Sequence, residues 1–387
     1  VIPMLPPSLS DNLCSLVQHK ERLTVSVFMD VNHEGKVLKR RTANTVIRSC
    51  RRCTYEEVQT ILDGGKVPGI TAPMAETMLR MGELTDILYR RRVQRGALDF
   101  DLPEYKVEVN ERGKPVGVHL RPRLKSHRLI EEFMLLANEA VATELMAAKI
   151  PFLHRRHDEP DPEKIRTLSK TLGERGFYAG HITGGNTPKA LQDVLRQAHD
   201  HPLEGIVNAL IVRSMKQAVY SPESKGHFGI ATKAYAHFTS PIRRYPDLMT
   251  HRALKALMAG KRENHGTRPL DEAGRHCSER ERTAADAEYK AVDIMRAELF
   301  REHIGKVMDG IVTNVTERGA FVLCGDTGAE GMVRVTNLAP GTRVKVMVDA
   351  VAIATGKIDL SLAEKPRMPA QLHVTHSKQG RRHRNRG

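Results

Sequence analysis

Apolar and polar residues alternate over Leu23–Met29 (LTVSVFM) and resume at Val37–Arg40 after the turn-forming stretch Asn32–Gly35, which predicts a strand, a turn and a strand. Tyr55–Leu62 and Ala75–Arg92 carry apolar residues at helical spacing, the second ending in the basic run Arg90–Arg92. Alternation returns in Tyr105–Val109 and Val116–Leu120 around Glu111–Lys114, a second hairpin. From Ser126 the period is helical: Ser126 is placed to cap a helix whose apolar face includes Leu129, Phe133, Leu136, Ala140 and Met146. Asp161-Pro162 and Thr187-Pro188 each set a capping side chain before a proline suited to the first helical turn. Ile206–Val219, Pro246–Met258 and Cys277–His303 are further helices, while the first sixteen residues, with three prolines and no clean period, read as an irregular lead-in.

After Gly305 the pattern changes. Lys306–Val315, Ala320–Leu323, Gly331–Val335, Arg343–Val351 and Lys357–Leu362 are five short strand-like segments, the number a small OB barrel needs. The fold class is therefore α+β: a larger part with a mixed sheet and helices over residues 1–302, a small all-β barrel over 303–363, and a tail over 364–387. Beyond Glu364 the tail has no acidic residue, only Lys365, Arg367, Lys378, Arg381, Arg382, Arg384 and Arg386 among polar residues, and is expected to be disordered and electrostatically sticky.

Charge sharpens this picture. Sixty-one Lys and Arg against 46 Asp and Glu leave a formal charge of +15, which favours a polyanionic partner, most often nucleic acid. Five thinly spread cysteines make no disulfide framework and suit a reducing, cytoplasmic compartment. Cys50 and Cys53 form a lone C-x-x-C with no second pair, a weak signal for zinc or redox chemistry. No apolar run is long enough to span a bilayer and no signal peptide is visible.

The densest chemistry lies in Phe238–His251 (FTSPIRRYPDLMTH). Pro241 and Pro246 bracket a short non-helical stretch, and the second opens a helix. Ile242 can anchor the loop while Arg243 and Arg244 point different ways. Two guanidiniums beside a helix N-terminus suit phosphate contacts and the stabilisation of charge on non-bridging oxygens. Spacing alone leaves an equal alternative, in which the arginines are salt-bridged to Asp247 and a helix carboxylate.

The run Arg213–Leu254 resembles the catalytic signature of the ribonuclease II/ribonuclease R family of exoribonucleases (the RNB family), on its ribonuclease R side. Ile2–Leu16, Ser126–Ala142, His157–Ile165 and Gly274–Arg282 resemble the same domain in the same order, so the likeness covers residue 2 to about 363. The resemblance implies hydrolysis of RNA from its 3′ end to nucleoside monophosphates with a divalent metal, magnesium. It puts Arg243 on the arginine that binds the scissile phosphate, and Glu288 on a glutamate near the leaving end. Tyr55 matches an aromatic that shapes base selection, and Phe100 one half of a clamp on the terminal bases. Glu131 and Glu132 sit where the family's long helix approaches the 3′-terminal nucleotide, without saying which makes contact. Each has a plainer alternative, since aromatics at such spacings also serve as core and paired glutamates as solvated helix surface.

The resemblance places the family's metal-binding aspartate cluster upstream of the segment matching IPMLPP, so no metal ligands are expected in this chain. Asp99 with Asp101, and Asp158, Glu159, Asp161 and Glu163, are poor substitutes, the latter reading better as an acidic helix start. The first expectation is thus an exoribonuclease of the ribonuclease R type, incomplete as given, its aspartates lying before Val1 or on a separate N-terminal polypeptide. The alternative is an RNA-binding protein without catalysis, or one half of a split enzyme. Single-stranded RNA is the expected partner, with structured RNA a second candidate.

Gly305–Leu362 resembles the RNA-binding OB domain of the ribosomal S-one type. Phe321 matches an aromatic of that domain's RNA face, and Arg244, Arg334 and Lys345 are candidate phosphate contacts. Arg318 stands where an aromatic is usual and Arg334 where a histidine is usual, which exchanges stacking for charge.

Overall fold

The alternating stretch near the start forms a longer ribbon than its apolar residues alone define. In the computed structural model, which describes residues 3–100, 104–183, 187–201, 203–261 and 267–364, β1 (Glu21–Val31) pairs antiparallel with β2 (Val37–Arg48) along its whole length. Asn32 Oδ1 closes the connection by accepting the Glu34 and Lys36 N–H groups at 3.1 and 2.8 Å. The ribbon continues past the expected end because ladder hydrogen bonds need backbone, not apolar side chains.

The chain then runs through α1 (Tyr55–Leu62), α2 (Ala72–Gln94), β3 (Glu104–Val109), β4 (Pro115–Arg121), α3 (Lys125–Ala147), β5 (His154–Arg156), α4 (Pro162–Gly173), α5 (Thr187–Ala198), α6 (Glu204–Ser214), β6 (Val219–Ser221), α7 (Tyr245–Met258) and α8 (Thr267–Phe300). Five barrel strands follow, β7 (Val307–Thr316), β8 (Gly319–Cys324), β9 (Ala329–Val333), β10 (Arg343–Ala352) and β11 (Lys357–Leu362).

A capping box starts α1: Thr54 Oγ1 accepts the Glu57 N–H at 3.2 Å and Glu57 Oε2 accepts the Thr54 N–H at 2.8 Å. α3 departs from its expected cap. Ser126 is buried inside the first turn, where its N–H donates to Gln59 Oε1 of α1 at 3.1 Å. The helix instead begins after Leu124, whose N–H donates to His127 Nδ1 at 3.2 Å. Packing of α1 against α3 supplies the partner that a local serine cap would have provided.

Two more expectations change. Ser8–Leu13 winds into a π-helical turn rather than staying irregular. The helix expected over Ile206–Val219 stops at Ser214, whose Oγ turns back to the Ile211 carbonyl at 2.6 Å, and Val219–Ser221 pairs with β5 instead. A short apolar run does not distinguish strand from helix by period, and here the pairing of Tyr220 with Arg155 decides it.

Outside the barrel, the described strands form three two-stranded ribbons, β1–β2, β3–β4 and β5–β6, rather than one mixed sheet. Two compact units emerge. The first takes in Val1–Glu104, Leu120–Asp161 and Met215–Ala291, and the second Tyr105–His119, Pro162–Ser214 and Val292–Gly387. In the first, α3 and α7 enclose a core of Val141, Leu145, Phe152, Phe238 and Leu254, against which Val25 and Val27 of β1 pack. In the second, the barrel closes in the order β10-β11-β9-β8-β7 around Val312, Val322, Val346, Val348 and Leu360. Among the described residues no helix is long and apolar enough to cross a membrane. Asp101 and the basic tail from Lys365 lie outside the described residues.

Candidate catalytic loop and nucleic-acid interface

Residues 239–244 turn sharply between the buried Phe238 and α7. The N–H groups of Arg243 and Arg244 both face the Ser240 carbonyl, at 3.3 and 3.1 Å, and Arg244 is the N-cap of α7. Asp247, fully buried in the first turn of α7, accepts the Ser240 N–H and the Arg244 Nη2 on one oxygen, each at 2.7 Å. The loop is also tied at its back. The Phe238 N–H donates to Asn138 Oδ1 of α3 at 3.0 Å, Asn138 Nδ2 donates to the Tyr235 hydroxyl at 3.1 Å, and His251 Nε2 donates to the Phe238 carbonyl at 2.9 Å.

The two neighbouring arginines therefore separate. Arg244 follows the structural alternative open at the level of spacing, a salt bridge to Asp247. Arg243 is exposed, and its guanidinium makes no ion pair or side-chain hydrogen bond with any described residue. A rigid loop thus presents one uncompensated cation.

Beneath this loop lies a cluster of rings. The Tyr220 hydroxyl and His237 Nδ1 share a hydrogen bond of 2.8 Å, and the Tyr220 N–H donates to Ser278 Oγ of α8 at 2.9 Å. α8 reaches β6 this closely because residue 274 is glycine: a Cβ there would lie 2.7 Å from the Tyr220 carbonyl oxygen. Arg155 covers the Tyr220 ring at 4.6 Å and forms two hydrogen bonds to Glu281, at 2.6 and 3.1 Å. Burial, helped by Arg244, Arg155 and Arg243, pushes His237 down to about 2, and burial pushes His227 down to about 3. Burial likewise raises the Tyr220 phenol, so the layer beneath the loop is neutral at physiological pH. The three rings add no positive charge of their own, and the Arg155 charge beside them is met by Glu281.

The preceding segment is fixed just as tightly. His227 and Thr232 bridge a short turn through hydrogen bonds of 2.8 and 3.3 Å, which forces Ala231 to a φ of 50°. His157 Nε2 donates to the Lys216 carbonyl at 2.7 Å while its Nδ1 accepts the Gly229 N–H at 3.1 Å. Only the neutral ring with its proton on Nε2 makes both bonds, in accord with the lowering of its pKa by burial.

The other candidate residues are dispersed. Glu132 is buried and accepts from Arg92 Nε and Nη2 at 2.9 and 2.6 Å, so it cannot reach a ligand in this state. Burial pushes its carboxyl up and Arg92 opposes this; the two charge-assisted bonds favour the ion pair. Glu131 is the accessible member, 40% exposed and 3.5 Å from Arg123. Tyr55 is also 40% exposed and leans on His127 with ring centres 4.2 Å apart. Phe100 is half-buried, and its carbonyl accepts from Arg123 at 3.1 Å. Glu288 is exposed on α8, two turns beyond Glu281, which is about 10 Å along the helix.

Three of the carboxylates weighed as metal ligands are otherwise engaged. Asp99 bonds to Arg123 and Tyr89 at 2.8 and 2.9 Å, Asp158 bonds to Arg156 at 2.5 and 2.9 Å, and Glu163 pairs with Arg166. Among the described residues the one group with three convergent ligand atoms is His199, Asp200 and Glu204, at the exposed α5–α6 turn. Four residues from Arg243, Asp247 spends Oδ1 on Ser240 and Arg244, while its buried Oδ2 has no hydrogen-bond partner. The residues described do not make a metal cage there. Cys50 and Cys53 are free thiols.

In the barrel, β8 alternates Ala320, Val322 and Cys324 inward with Phe321 and Leu323 outward. Phe321 faces Met332 of β9 and Asn314 of β7. Arg334 follows Val333, which pairs with Ala320, and a Cβ on Gly319 would lie 3.2 Å from Arg334 Cα, so Arg318, Phe321 and Arg334 gather at one end. Lys345 does not join them. It pairs with Asp309, five residues along β7 from Asn314, or roughly 16 Å; its Nζ lies 3.6 Å from Glu364.

Sequence reasoning did not single out Asn138, which ties down Phe238 beside the loop, or Arg155, Tyr220 and His237, which form the ring cluster. Tyr220 and His237 sit inside the motif-bearing run, but the helix expected over Ile206–Val219 ran into the first residue of the strand that pairs Tyr220 with Arg155.

Comparison with known proteins agrees with this architecture. Residues 1–260 match the RNB domain, and residues 306–363 match the C-terminal S1 domain of RNase II-type exonucleases. Ribonuclease R of Thermotoga maritima is 41% identical over 349 residues, covering 87% of this chain and 48% of its own length. Mycoplasma genitalium RNase R in complex with ribose-methylated single-stranded RNA superposes with a TM-score of 0.89 at 25% identity, covering 93% of this chain and 61% of that one. The same enzyme in complex with double-stranded RNA gives 0.86 at 26% identity, covering 93% and 64%. The chain spans about half the length of the curated relatives it matches. With the RNB domain matching two thirds of its residues, the chain belongs to the RNB family and carries that family's C-terminal S1 barrel.

Proposed function

We propose that this chain acts in the 3′-to-5′ hydrolysis of RNA to nucleoside 5′-monophosphates, with Arg243 binding the scissile phosphate. The observation that carries the reading is the contrast within one loop: Arg244 is consumed by Asp247, while Arg243 stands exposed with no ion pair to a described residue. A guanidinium held this way can bond two non-bridging oxygens and favours the transition state, in which they carry more charge. Glu131, Tyr55 and Phe100 are assigned to the 3′-terminal nucleotides, and Glu288 to the leaving side. Arg318, Phe321 and Arg334 form the barrel's contact with single-stranded RNA, where stacking on Phe321 tolerates any base. The relatives solved with single- and double-stranded RNA support RNA as the ligand class, structured RNA included. Free thiols throughout suit a cytoplasmic setting.

Magnesium is the proposed cofactor. When bound it supplies an activated water. The described carboxylates beside Arg243 do not form its cage. That same observation favours a second reading, an RNA-binding chain that does not cleave.

The two separate in one assay. The chain is incubated with 5′-labelled single-stranded RNA and magnesium. Stepwise release of monophosphates, stopped by a chelator and lost in Arg243→Ala, supports hydrolysis. Saturable binding with no release at any magnesium concentration supports the binding reading.

A further inference from the structure

A second basic site lies on the other side of α3. The turn between β1 and β2, the C-terminal half of α2 and one face of α3 enclose a cavity of about 280 Å³, at the small end of sites for small molecules. Lys36, Arg40, Arg91, Arg92 and Arg95 line it, with Glu132 and Glu139 as its carboxylates. Those two are already matched: Arg92 bonds to Glu132 at 2.9 and 2.6 Å, and Arg95 to Glu139 at 3.2 and 2.5 Å. The surplus is therefore Lys36, Arg40 and Arg91, none of which forms an ion pair with a described residue.

The walls are built rather than incidental. Gly35, at a φ of 74°, lets the hairpin turn press on α2, where a Cβ would meet Ile87 Cγ2 at 3.0 Å and Arg91 Cδ at 3.4 Å. Thr42 of β2 donates to Glu144 of α3 at 2.8 Å, and the two arginine–glutamate pairs lock α2 to α3. Leu88, Leu135, Leu136 and Ala140 give the cavity an apolar floor. On α3 the lining positions 132, 136, 139 and 143 share one face, whereas Asn138, which accepts from the Phe238 N–H beside the loop, lies roughly 130° around the helix at 100° per residue.

We propose that this cavity binds a phosphomonoester of mononucleotide size, its phosphate held by Lys36, Arg40 and Arg91 and its apolar portion against the leucine floor. Three unneutralised cations suit a dianionic group better than the single charge of a phosphodiester. A concave site of this volume takes one nucleotide rather than a strand. The assignment does not depend on the chain being a nuclease.

Titration calorimetry of the full chain with 5′-AMP tests it. Saturable binding is expected, competed by inorganic phosphate and not by adenosine. The double substitution Lys36→Ala with Arg40→Ala, both exposed hairpin residues, is expected to weaken it at least tenfold with the thermal midpoint unchanged. Arg243→Ala is expected to leave it intact. The single charge reversal Arg40→Glu, expected to act in the same direction, guards against a folding effect in the double variant. Binding that survives the double substitution and Arg40→Glu, or that is lost with Arg243→Ala, overturns the proposal. So does a short RNA without terminal phosphates competing as well as AMP at equal phosphate concentration, which would identify the ligand as a strand.

Discussion

Arg244 Nη2 lies 2.7 Å from Asp247 Oδ1, and that oxygen also accepts the Ser240 N–H at the same distance. One buried carboxylate thus fixes both ends of the turn that exposes Arg243. Asp247→Ala strands the Arg244 charge and frees the Ser240 N–H, and loss of one partner of a buried pair costs about 3–5 kcal/mol. Arg243→Ala removes no ion pair or side-chain hydrogen bond with a described residue and should change stability by less than about 0.5 kcal/mol. Urea denaturation of the two variants checks the difference; equal midpoints would show that Asp247 does not hold the loop.

Acid should destabilise the first unit before most carboxylates titrate. Burial lowers His154 to about 4, His227 to about 3 and His237 to about 2, against about 6.5 in an unfolded chain. Well above pH 6.5, from about pH 8, these rings are neutral in both states and stability does not depend on them. Below it the unfolded chain takes up protons that the folded chain refuses, so stability falls with pH until each folded value is reached. Three such rings give a slope approaching about 4 kcal/mol per pH unit between pH 6 and 5. Denaturation midpoints at pH 7.5, 6.5 and 5.5 measure it, and a flat profile would mean that these histidines accept protons in the folded state.

Much of this organisation is legible in the residues. The five barrel strands and α1 match their expected segments within a few residues, because period-two alternation and the helical spacing of apolar residues are local signals. That Arg243 and Arg244 share a short turn before a helix is legible from the two prolines. What separates the two is not, since that depends on Asp247 being sealed by a turn whose geometry no spacing reports. Lys345 reads as a companion of Phe321 until strand register puts them far apart. The neutral ring layer is invisible for the same reason, as it joins β5, β6, α8 and the loop from distant parts of the sequence.

Arg92 and Glu132 bind α2 to α3 with side chains only 5% and 3% exposed. Glu132→Ala leaves a buried guanidinium without its main partner and should cost about 3–5 kcal/mol, as should Arg92→Ala for the carboxylate. The double variant Arg92→Met with Glu132→Leu removes both charges and should recover most of that loss. A double-mutant cycle by urea denaturation decides the point. Additive losses would mean that the pair does not couple.

The barrel and tail should contribute to RNA affinity in distinguishable ways. Phe321→Ala removes an outward ring flanked by Arg318 and Arg334, and should weaken single-stranded RNA binding by about 1–3 kcal/mol with little change in salt dependence. Arg318→Ala and Arg334→Ala should each lower the slope of log K against log salt by about 0.7, the value for one phosphate contact on a single strand. Lys345→Ala should change neither by much, because Glu364 lies 3.6 Å from its ammonium and Phe321 stands on another part of the wall. Removing residues 365–387 takes away seven cations and no acid, and should flatten the salt dependence further. Fluorescence anisotropy with a labelled oligonucleotide at four salt concentrations measures all of these. A Lys345→Ala loss as large as that of Phe321→Ala would relocate the RNA track across β7 and β10, away from the Arg318–Phe321–Arg334 end.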